Sequence, residues 1–241
     1  MAIAGLLAAA TFQTCGEGGI KQEWLMTLNA DLYFSFRSPY SYLAIGRYRA
    51  MAEEWDVEIA LKPVYPLAIR EPDFFERSHP NWLRYTFADM FRVAQFHGIP
   101  FGPPRPDVIV QDLATRKVAA EQPYVFRLTR LGQAAARRGK GLVFAHEVAM
   151  LIWGGAENWH EGAHLAGAAE RAGVNLVELE AEALADAEAL DAEIHANQAA
   201  LEAAGHWGVP TLVFDGEPFF GQDRIEMALW RMQQKGLEKR A

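Results

Sequence analysis

The chain has 241 residues, of which 51% are hydrophobic and 22% are charged, and its formal net charge is −8 at pH 7. This composition is typical of a globular protein, and the negative charge argues against nucleic acid as a partner, because phosphate binding requires a basic face. The single cysteine, Cys15, excludes an intrachain disulfide framework and favours a cytoplasmic protein in a reducing compartment. No apolar run is long enough to span a membrane, so no membrane partner is expected.

Residues 1–28 are expected to form a mobile N-terminal extension. Met1 to Ala10 is apolar and small, as in the core of a signal peptide, but the first basic residue is Lys21 and no positive charge precedes the apolar run. Export is therefore the less favoured alternative, and Met26 is a second candidate start shortly before the predicted fold begins.

The first regular elements are a strand and a helix that meet at Ser38. Residues 32–36 alternate and predict a strand, and Ser38-Pro39 is typical of a helix start, here of a helix that reaches Trp55. The N-terminus of a helix has unpaired backbone N–H groups and a positive partial charge. It therefore stabilises an anion, whether phosphate, carboxylate or thiolate.

The middle of the chain predicts one more strand and then helices. Residues 56–62 alternate cleanly, which completes a right-handed βαβ unit over about residues 30–62. Residues 72–205 have almost no strand pattern and are divided by glycine and proline into helical pieces. One of these helices is expected to be capped by Asn175, and the Ala/Glu-rich residues 178–204 are expected to form a pair of solvated helices.

The last elements are a hairpin and a helix. Residues 207–214 and 217–220 predict two strands joined by the Asp215-Gly216 turn, and a helix is expected from about Gln222 to Gln234. Val209-Pro210 enters the first strand in the context of a cis-proline loop, with an ordinary trans proline as the alternative. A cis bond would leave the Val209 N–H and C=O available to a peptide laid antiparallel.

Together these elements predict an α/β protein with a thioredoxin-like fold (βαβ + ββα) interrupted by a large all-helical insertion. The expected domains are the thioredoxin-like domain, formed by residues 29–71 and 206–241, and the insertion, formed by residues 72–205.

Three segments carry a resemblance to a known family: 33–44, 208–211 and 220–224. In this order and spacing they resemble 2-hydroxychromene-2-carboxylate isomerases and kappa-class glutathione transferases within the DsbA-like group, over roughly residues 29–237. In thioredoxin-like oxidoreductases, Cys-x-x-Cys occupies the place of Ser38-Pro39-Tyr40-Ser41, and its first thiol is acidified there. Serine at both cysteine positions implies that this site cannot exchange disulfides but can hold the thiolate of another molecule.

The resemblance implies glutathione as the cofactor and Ser38 as the catalytic residue that hydrogen-bonds the glutathione sulfur. It implies that Val209 pairs with the glutathione backbone and that Gln222 and Asp223, at a helix start, take the γ-glutamyl end. The cofactor-binding residues expected in full are Pro39, Tyr40, Val209, Pro210, Phe220, Gly221, Gln222 and Asp223. The sequence departs from the family at residues 63–72, where relatives have a loop with Gly and Asn. The resemblance therefore implies less about the substrate than about the cofactor.

The function expected from the resemblance is a glutathione-dependent isomerase that acts on an aromatic-derived unsaturated carboxylate. A glutathione transferase that conjugates electrophiles is the nearest alternative. A redox-inactive DsbA-like module that binds a peptide or partner along the Val209-Pro210 edge is an alternative of another class. The expected partners are glutathione and a small aromatic or hydrophobic substrate, and a homodimer is expected because dimers are common in this group.

Other residues are weaker candidates for substrate or metal binding. Five cations are candidates for an acidic substrate, and five aromatic residues at helical spacing are expected mainly in the core, with part of them as an alternative pocket wall. The segment 160–164 has the H-E-x-x-H pattern of zinc peptidases, but Gly162 lies inside it, and no metal is expected. The cations are Arg37, Lys62, Arg70, Arg84 and Arg105, and the aromatic residues are Phe74, Phe75, Trp82, Tyr85 and Phe91.

Overall fold

The computed structural model describes residues 27–112, 115, 117–161 and 163–240. Residues 1–26, which hold Cys15 and nearly all of the predicted extension, lie outside the described residues. The strands are β1 (Leu28–Phe34), β2 (Val57–Pro63), β3 (Thr211–Phe214) and β4 (Glu217–Phe220). The helices are α1 (Pro39–Glu54), α2 (Leu67–Arg70), α3 (Phe74–Arg77), α4 (Pro80–His97), α5 (Val125–Arg137), α6 (Gly141–Trp153), α7 (His164–Arg171), α8 (Leu176–Ala185), α9 (Ala187–Ala203) and α10 (Ile225–Gln233).

The four strands form one sheet in the order β2-β1-β3-β4. β1 and β2 are parallel and connected by α1, whereas β3 is antiparallel to both β1 and β4. This confirms the predicted βαβ and ββα units, and the described residues between them form helices and loops, with two isolated β-bridges. The fold is thioredoxin-like with a helical insertion.

The hydrophobic pattern of the sheet follows the position of each strand. β1 is a central strand, and Leu32 and Phe34 are almost fully buried. β2 is an edge strand with strict alternation, so that Val57, Ile59 and Leu61 face the core while intervening residues are exposed. This alternation is typical of a β-strand with one buried face, because successive side chains of a strand point to opposite faces of the sheet.

The hairpin between β3 and β4 has the predicted turn. Asp215 and Gly216 both have positive φ, at 51° and 77°, which is the backbone that a two-residue hairpin with the twist of the flanking strands requires. β4 places Phe220 at its end, next to the segment that leads into α10.

The insertion packs on the thioredoxin-like part through α5 and α6. Phe36 lies against α5 so closely that a Cβ on Gly132 would stand 2.6 Å from its ring, and Trp153 of α6 donates its indole N–H to the Phe36 carbonyl at 3.0 Å. The prediction that residues 178–204 are solvated helices is wrong in part. α8 and α9 bury Leu179, Leu190 and others against α5, because apolar side chains recur about every four residues on one side of each helix.

Two predicted boundaries also need correction. β1 ends at Phe34, and residues 35–38 form the turn into α1 because Ser38 donates its backbone N–H to the Ser35 carbonyl. The last helix begins at Ile225, so Gln222 and Asp223 lie in the turn before it, with Arg224 at the N-cap position. Asn175 is the N-cap of α8, as predicted, and its Oδ1 accepts hydrogen bonds from the N–H groups of Val177 and Glu178.

Candidate active site

Ser38 is the N-cap of α1. Its backbone is extended, with φ −88° and ψ 116°, and Pro39 occupies the first turn. The hydroxyl oxygen of Ser38 accepts a hydrogen bond from the Ser41 N–H at 3.2 Å. A serine in this position places its oxygen directly at the positive end of the helix. The side chain predicted to be catalytic is therefore held where an anion is stabilised.

The Ser38 hydroxyl reaches across to the loop before β3. The Val209-Pro210 bond is cis, as the sequence predicts, and the Ser38 hydroxyl donates a hydrogen bond to the Val209 carbonyl oxygen at 3.3 Å. Residues that are 171 positions apart in sequence thus meet at one point. The hydrogen bond is longer than the usual range for two oxygen atoms, so it is weak and readily exchanged for a bond to a ligand.

The second serine of the motif does not face a ligand. Ser41 is fully buried, and among the described residues its hydroxyl has no hydrogen-bond partner. Disulfide exchange begins with attack by a thiolate, and neither motif position carries sulfur. The chemistry that the motif retains is therefore the stabilisation of an anion by Ser38 and the start of α1.

The turn after β4 lies beside the cis-proline loop. Gly221 donates its N–H to the Pro210 carbonyl at 2.8 Å, and Gly221 has φ 103°, a backbone that favours glycine. A Cβ there would also stand 2.6 Å from a carboxylate oxygen of Asp223. The next residue, Gln222, is held through its carbonyl by the Arg47 guanidinium at 2.7 Å. The structure thus places Phe220 to Asp223 next to Pro210, although these residues precede α10.

Tyr40 connects the motif to the insertion. Its hydroxyl donates to a carboxylate oxygen of Asp89 on α4 at 2.8 Å. Burial, this hydrogen bond and the nearby carboxylate of Asp223 raise the pKa of Tyr40 well above its usual range. The phenol stays protonated at neutral pH and fixes α4 beside the start of α1.

His206 belongs to the site, but the sequence does not single it out. Its Nδ1 accepts a hydrogen bond from the Gly208 N–H at 2.9 Å, which leaves the proton on Nε2. Its ring stacks on Phe220 with centroids 3.9 Å apart and on Trp207 with centroids 5.6 Å apart. Burial lowers the pKa of His206, so the imidazole is neutral at pH 7. The aromatic stack supports the cis-proline loop from outside.

Aromatic side chains from the insertion extend this surface. Phe74 contacts Trp207 with ring centroids 5.7 Å apart and Trp82 with centroids 5.6 Å apart. The expectation that the five aromatic residues lie mainly in the core is wrong for Trp82, Tyr85 and Phe91, which are 43%, 62% and 46% exposed. α4 buries only a narrow side, through Met90 and Ala94, and its other aromatic residues face outward.

The five candidate cations have different environments. Arg37, Lys62 and Arg105 form ion pairs with Asp107, Asp31 and Glu157, which accounts for their positions without a ligand. Arg84 lies exposed on α4.

Arg70 differs from the other candidate cations. It donates to the carbonyl oxygens of Tyr65 at 2.8 Å and Trp207 at 3.0 Å, and in the described part of the chain it forms no ion pair. Burial lowers the pKa of its guanidinium. A partly buried cation that forms no ion pair in the described part of the chain therefore adjoins the cis-proline loop.

The H-E-x-x-H segment does not have the geometry of a zinc site. α7 begins at His164, so His160 precedes the helix and the two imidazoles do not share one helical face. His160 packs on Tyr124 and Trp159 instead, with ring centroids 4.6 Å and 5.6 Å away. No group of three or more metal-ligating side chains occurs among the residues that the structure describes.

The family is decided by a match over residues 30–233 to the DSBA-like thioredoxin domain. The chain belongs to this DsbA-like family. No curated protein matches it in sequence. None of the described helices is long and apolar enough to cross a membrane.

Similar solved structures within the same fold include an isomerase and a reductase. A 2-hydroxychromene-2-carboxylate isomerase is 25% identical, with a TM-score of 0.60, over 86% of this chain and 95% of that one. The cytosolic disulfide reductase DsbM from Pseudomonas aeruginosa is 18% identical, with a TM-score of 0.59, over 86% of this chain and 99% of that one. A second structure of DsbM, determined with GSH (glutathione), has a TM-score of 0.57 and the same coverage of this chain.

Proposed function

We propose that this DsbA-like protein is a glutathione-dependent isomerase of the 2-hydroxychromene-2-carboxylate type. The observation that carries the proposal is the Ser38 hydroxyl, which caps α1 and lies 3.3 Å from the Val209 carbonyl in a motif without cysteine. The likeness to an isomerase at 25% identity and the GSH complex of DsbM support the choice of reaction and cofactor.

The residues around Ser38 fit a tripeptide thiol. The Ser38 hydroxyl exchanges its weak bond to Val209 for a hydrogen bond to the sulfur, and the positive end of α1 stabilises the thiolate. The Val209 backbone pairs with the cysteinyl residue in the manner of an added β-strand. When bound, glutathione supplies a thiolate that adds to a conjugated double bond, permits rotation and is then eliminated, so that it is not consumed.

Arg70 is the cation that we assign to the substrate carboxylate. It adjoins Trp207 and thus the aromatic surface that includes Phe74 and Trp82, which suits the ring of an aromatic-derived substrate. A guanidinium binds a carboxylate through two parallel hydrogen bonds, and its low hydration reduces the cost of burial. Arg70→Gln is expected to raise the KM for the substrate while the affinity for glutathione changes little.

The central test is the ionisation of bound glutathione in Ser38→Ala. A hydrogen bond to a charged acceptor contributes about 1.5–3 kcal/mol, so the pKa of the bound thiol is expected to rise by about 1–2 units. The thiolate absorbance of the complex, followed against pH, measures this. Ser41→Ala is the matched control, because its buried hydroxyl has no partner among the described residues. An unchanged titration in Ser38→Ala would remove Ser38 from the sulfur site.

Counting thiols separates the isomerase from its alternatives. With a cis-configured unsaturated aromatic carboxylate and a small amount of glutathione, an isomerase completes many turnovers while the free thiol stays constant. A transferase loses one thiol for each product formed. Calorimetry that detects no binding of glutathione would instead favour a redox-inactive module that binds a peptide at the Val209-Pro210 edge.

A further inference from the structure

Arg70 is held by two carbonyl oxygens beside the cis-proline loop. Its Nε donates to the Tyr65 carbonyl at 2.8 Å and its Nη2 to the Trp207 carbonyl at 3.0 Å. A guanidinium has five N–H donors in a fixed fork, and a carboxylate accepts two of them in parallel. The charges of Glu202 and Glu71 act on Arg70, but no ion pair joins either of them to it within the described residues. Donors therefore remain for a ligand, and their direction depends on how firmly the Tyr65 carbonyl is held.

The segment that leads from β2 to Tyr65 is fixed by α9 of the insertion. The Tyr65 N–H donates to the side-chain oxygen of Gln198 at 3.1 Å, and the Pro63 carbonyl accepts a hydrogen bond from the Asn197 side-chain amide at 3.0 Å. Both bonds satisfy main-chain groups at the point where the pairing of β2 with β1 ends. The position of the Tyr65 main chain is therefore set by a helix of the insertion.

The Tyr65 side chain is buried and ends on a charged pair. Its hydroxyl donates to Oδ1 of Asp191 at 2.5 Å, and its ring packs edge-on against Phe126 and His195. Arg130 of α5 donates from Nε and Nη2 to the two oxygens of the same carboxylate at 2.7 Å and 2.6 Å. The hydrogen bonds from Arg130 lower the pKa of Asp191, so that the acceptor of the tyrosine hydroxyl is charged at neutral pH. The side chain of Tyr65 is therefore held as firmly as its main chain.

These contacts lie in the segment where the chain departs from the family that it resembles, so the resemblance implies no role for Tyr65 or Arg70. Of the ion pairs that α5 forms in the described part of the chain, the pair of Arg130 and Asp191 is the one that is bonded to Tyr65. The pair of Arg127 and Glu180, in contrast, joins α5 to α8 away from this segment. Position thus distinguishes the first pair from one that merely holds two helices together.

We propose that Tyr65 is a positioning residue, whose hydroxyl bond to Asp191 and carbonyl bond to Arg70 hold the guanidinium in place for the carboxylate of an aromatic ligand. This inference rests on the proposed function, in which Arg70 binds the substrate carboxylate. The insertion then acts on the site without touching the ligand, because α5 and α9 hold Tyr65 and Tyr65 holds Arg70. The effect is selective, since it is the negatively charged group of the ligand that uses Arg70.

The test is Tyr65→Phe, which keeps the ring and removes the hydroxyl. Loss of this hydrogen bond is expected to raise the KM for a cis-configured unsaturated aromatic carboxylate about three- to tenfold, while kcat and the affinity for glutathione stay within about twofold. Calorimetry with trans-cinnamate, an aromatic carboxylate that serves as a binding probe, should show the same loss. Cinnamamide, in which a neutral amide replaces the carboxylate, should bind equally to the wild type and the variant.

Two further variants separate positioning from a general loss of structure. In Arg70→Gln the guanidinium is absent, so the addition of Tyr65→Phe should weaken the binding of cinnamate no further. Glu180→Gln is the matched control, because Glu180 pairs with Arg127 on the same helix as Arg130 but contacts neither Tyr65 nor Arg70 in the described residues. It is expected to leave the affinity for cinnamate unchanged.

The outcomes distinguish this inference from the proposed function. Unchanged binding of cinnamate in Tyr65→Phe, an equal loss for cinnamamide, or a full additional loss in the Arg70→Gln background would overturn the positioning role. If glutathione-dependent turnover is absent but Tyr65→Phe still weakens cinnamate and not cinnamamide, the isomerase is overturned and the positioning role stands. Failure of the wild-type protein to bind cinnamate in the presence of glutathione would overturn the positioning role, whereas thiol counting still decides the isomerase.

Discussion

The two sides of the candidate site are built differently. On the thioredoxin-like side, backbone groups make the decisive contacts: the Val209 carbonyl meets Ser38, and the Gly221 N–H meets the Pro210 carbonyl. On the side of the insertion, side chains make the contacts: Asp89 accepts a hydrogen bond from the Tyr40 hydroxyl, and the Phe74 ring packs on Trp207. Backbone contacts depend little on side-chain identity, whereas side-chain contacts change with each substitution. In the proposed function, the backbone contacts would serve the constant cofactor and the side chains of the insertion would serve the particular substrate.

The largest effect is expected for Gly208→Ala, on the thioredoxin-like side. A Cβ at Gly208 would stand 2.6 Å from the Phe220 ring and 3.0 Å from the His206 ring. Such overpacking costs about 1–3 kcal/mol, and displacement of the cis-proline loop should also abolish glutathione binding. Denaturant unfolding and calorimetry measure the two effects.

The matched variant on the side of the insertion is Gly132→Ala. A Cβ at Gly132 would also stand 2.6 Å from an aromatic ring, that of Phe36. Gly132, however, lies within α5 and is far from Val209 in sequence. Alanine is favoured in a helix by about 1 kcal/mol, which offsets part of the cost. Loss of stability with retained glutathione binding is expected. Equal loss of binding in both variants would contradict the division between the two sides.

The second prediction compares two helix N-caps. Ser38→Ala and Asn175→Ala each remove a side-chain oxygen that accepts backbone N–H groups, and each should lower the free energy of unfolding by about 1 kcal/mol. Only Ser38→Ala should reduce glutathione affinity and activity, since Asn175 caps α8 in the insertion. If Asn175→Ala reduced affinity as strongly, the loss in Ser38→Ala would reflect general destabilisation.

The third prediction concerns pH. Burial lowers the pKa of His206, and burial together with the charge of Arg49 lowers the pKa of His146 in α6. Each histidine therefore takes up its proton at a higher pH in the unfolded chain, where the pKa is about 6.5, than in the folded protein. The free energy of unfolding is expected to fall as the pH decreases below about 6.5, by at most about 1.4 kcal/mol per pH unit for each histidine.

Two substitutions separate the contributions of these histidines. His206→Asn keeps an acceptor for the Gly208 N–H but removes the titration, so it should flatten the profile and leave the loop in place. His146→Asn should remove the remaining pH dependence of the free energy of unfolding. Urea unfolding at several pH values measures both, and a slope unaffected by either variant would show that other groups titrate.

The smallest effect is expected for His164→Ala. His164 is exposed at the start of α7, so its loss should change the free energy of unfolding by less than about 0.5 kcal/mol. His160→Ala should cost more, about 0.5–1.5 kcal/mol, because its ring packs on Tyr124 and Trp159. Metal analysis should find well below one equivalent of zinc in the wild-type protein and in both variants. A stoichiometric metal that is lost in both variants would reinstate the H-E-x-x-H segment as a metal site.

Several features of the protein follow from the preferences of residues that are close together in the chain. The alternation in β2, the Ser-Pro start of α1, the Asp-Gly hairpin and the Asn175 cap each act over a few residues, so local preference decides them. The order of the motifs along the chain also predicted the thioredoxin-like fold and the cis Val209-Pro210 bond.

Other features depend on contacts between residues that are far apart in the chain, and they could not be predicted from local sequence. The start of α10 at Ile225, the partial burial of α8 and α9 and the exposure of Trp82 depend on which surfaces pack together. Likewise, Asp89 and His206 show no local pattern that distinguishes them from ordinary surface residues. Asp89 lies at the site because α4 of the insertion packs beside the start of α1, and His206 lies there because its ring stacks on Phe220 of β4. Packing, unlike a cap or a turn, joins residues far apart in the chain.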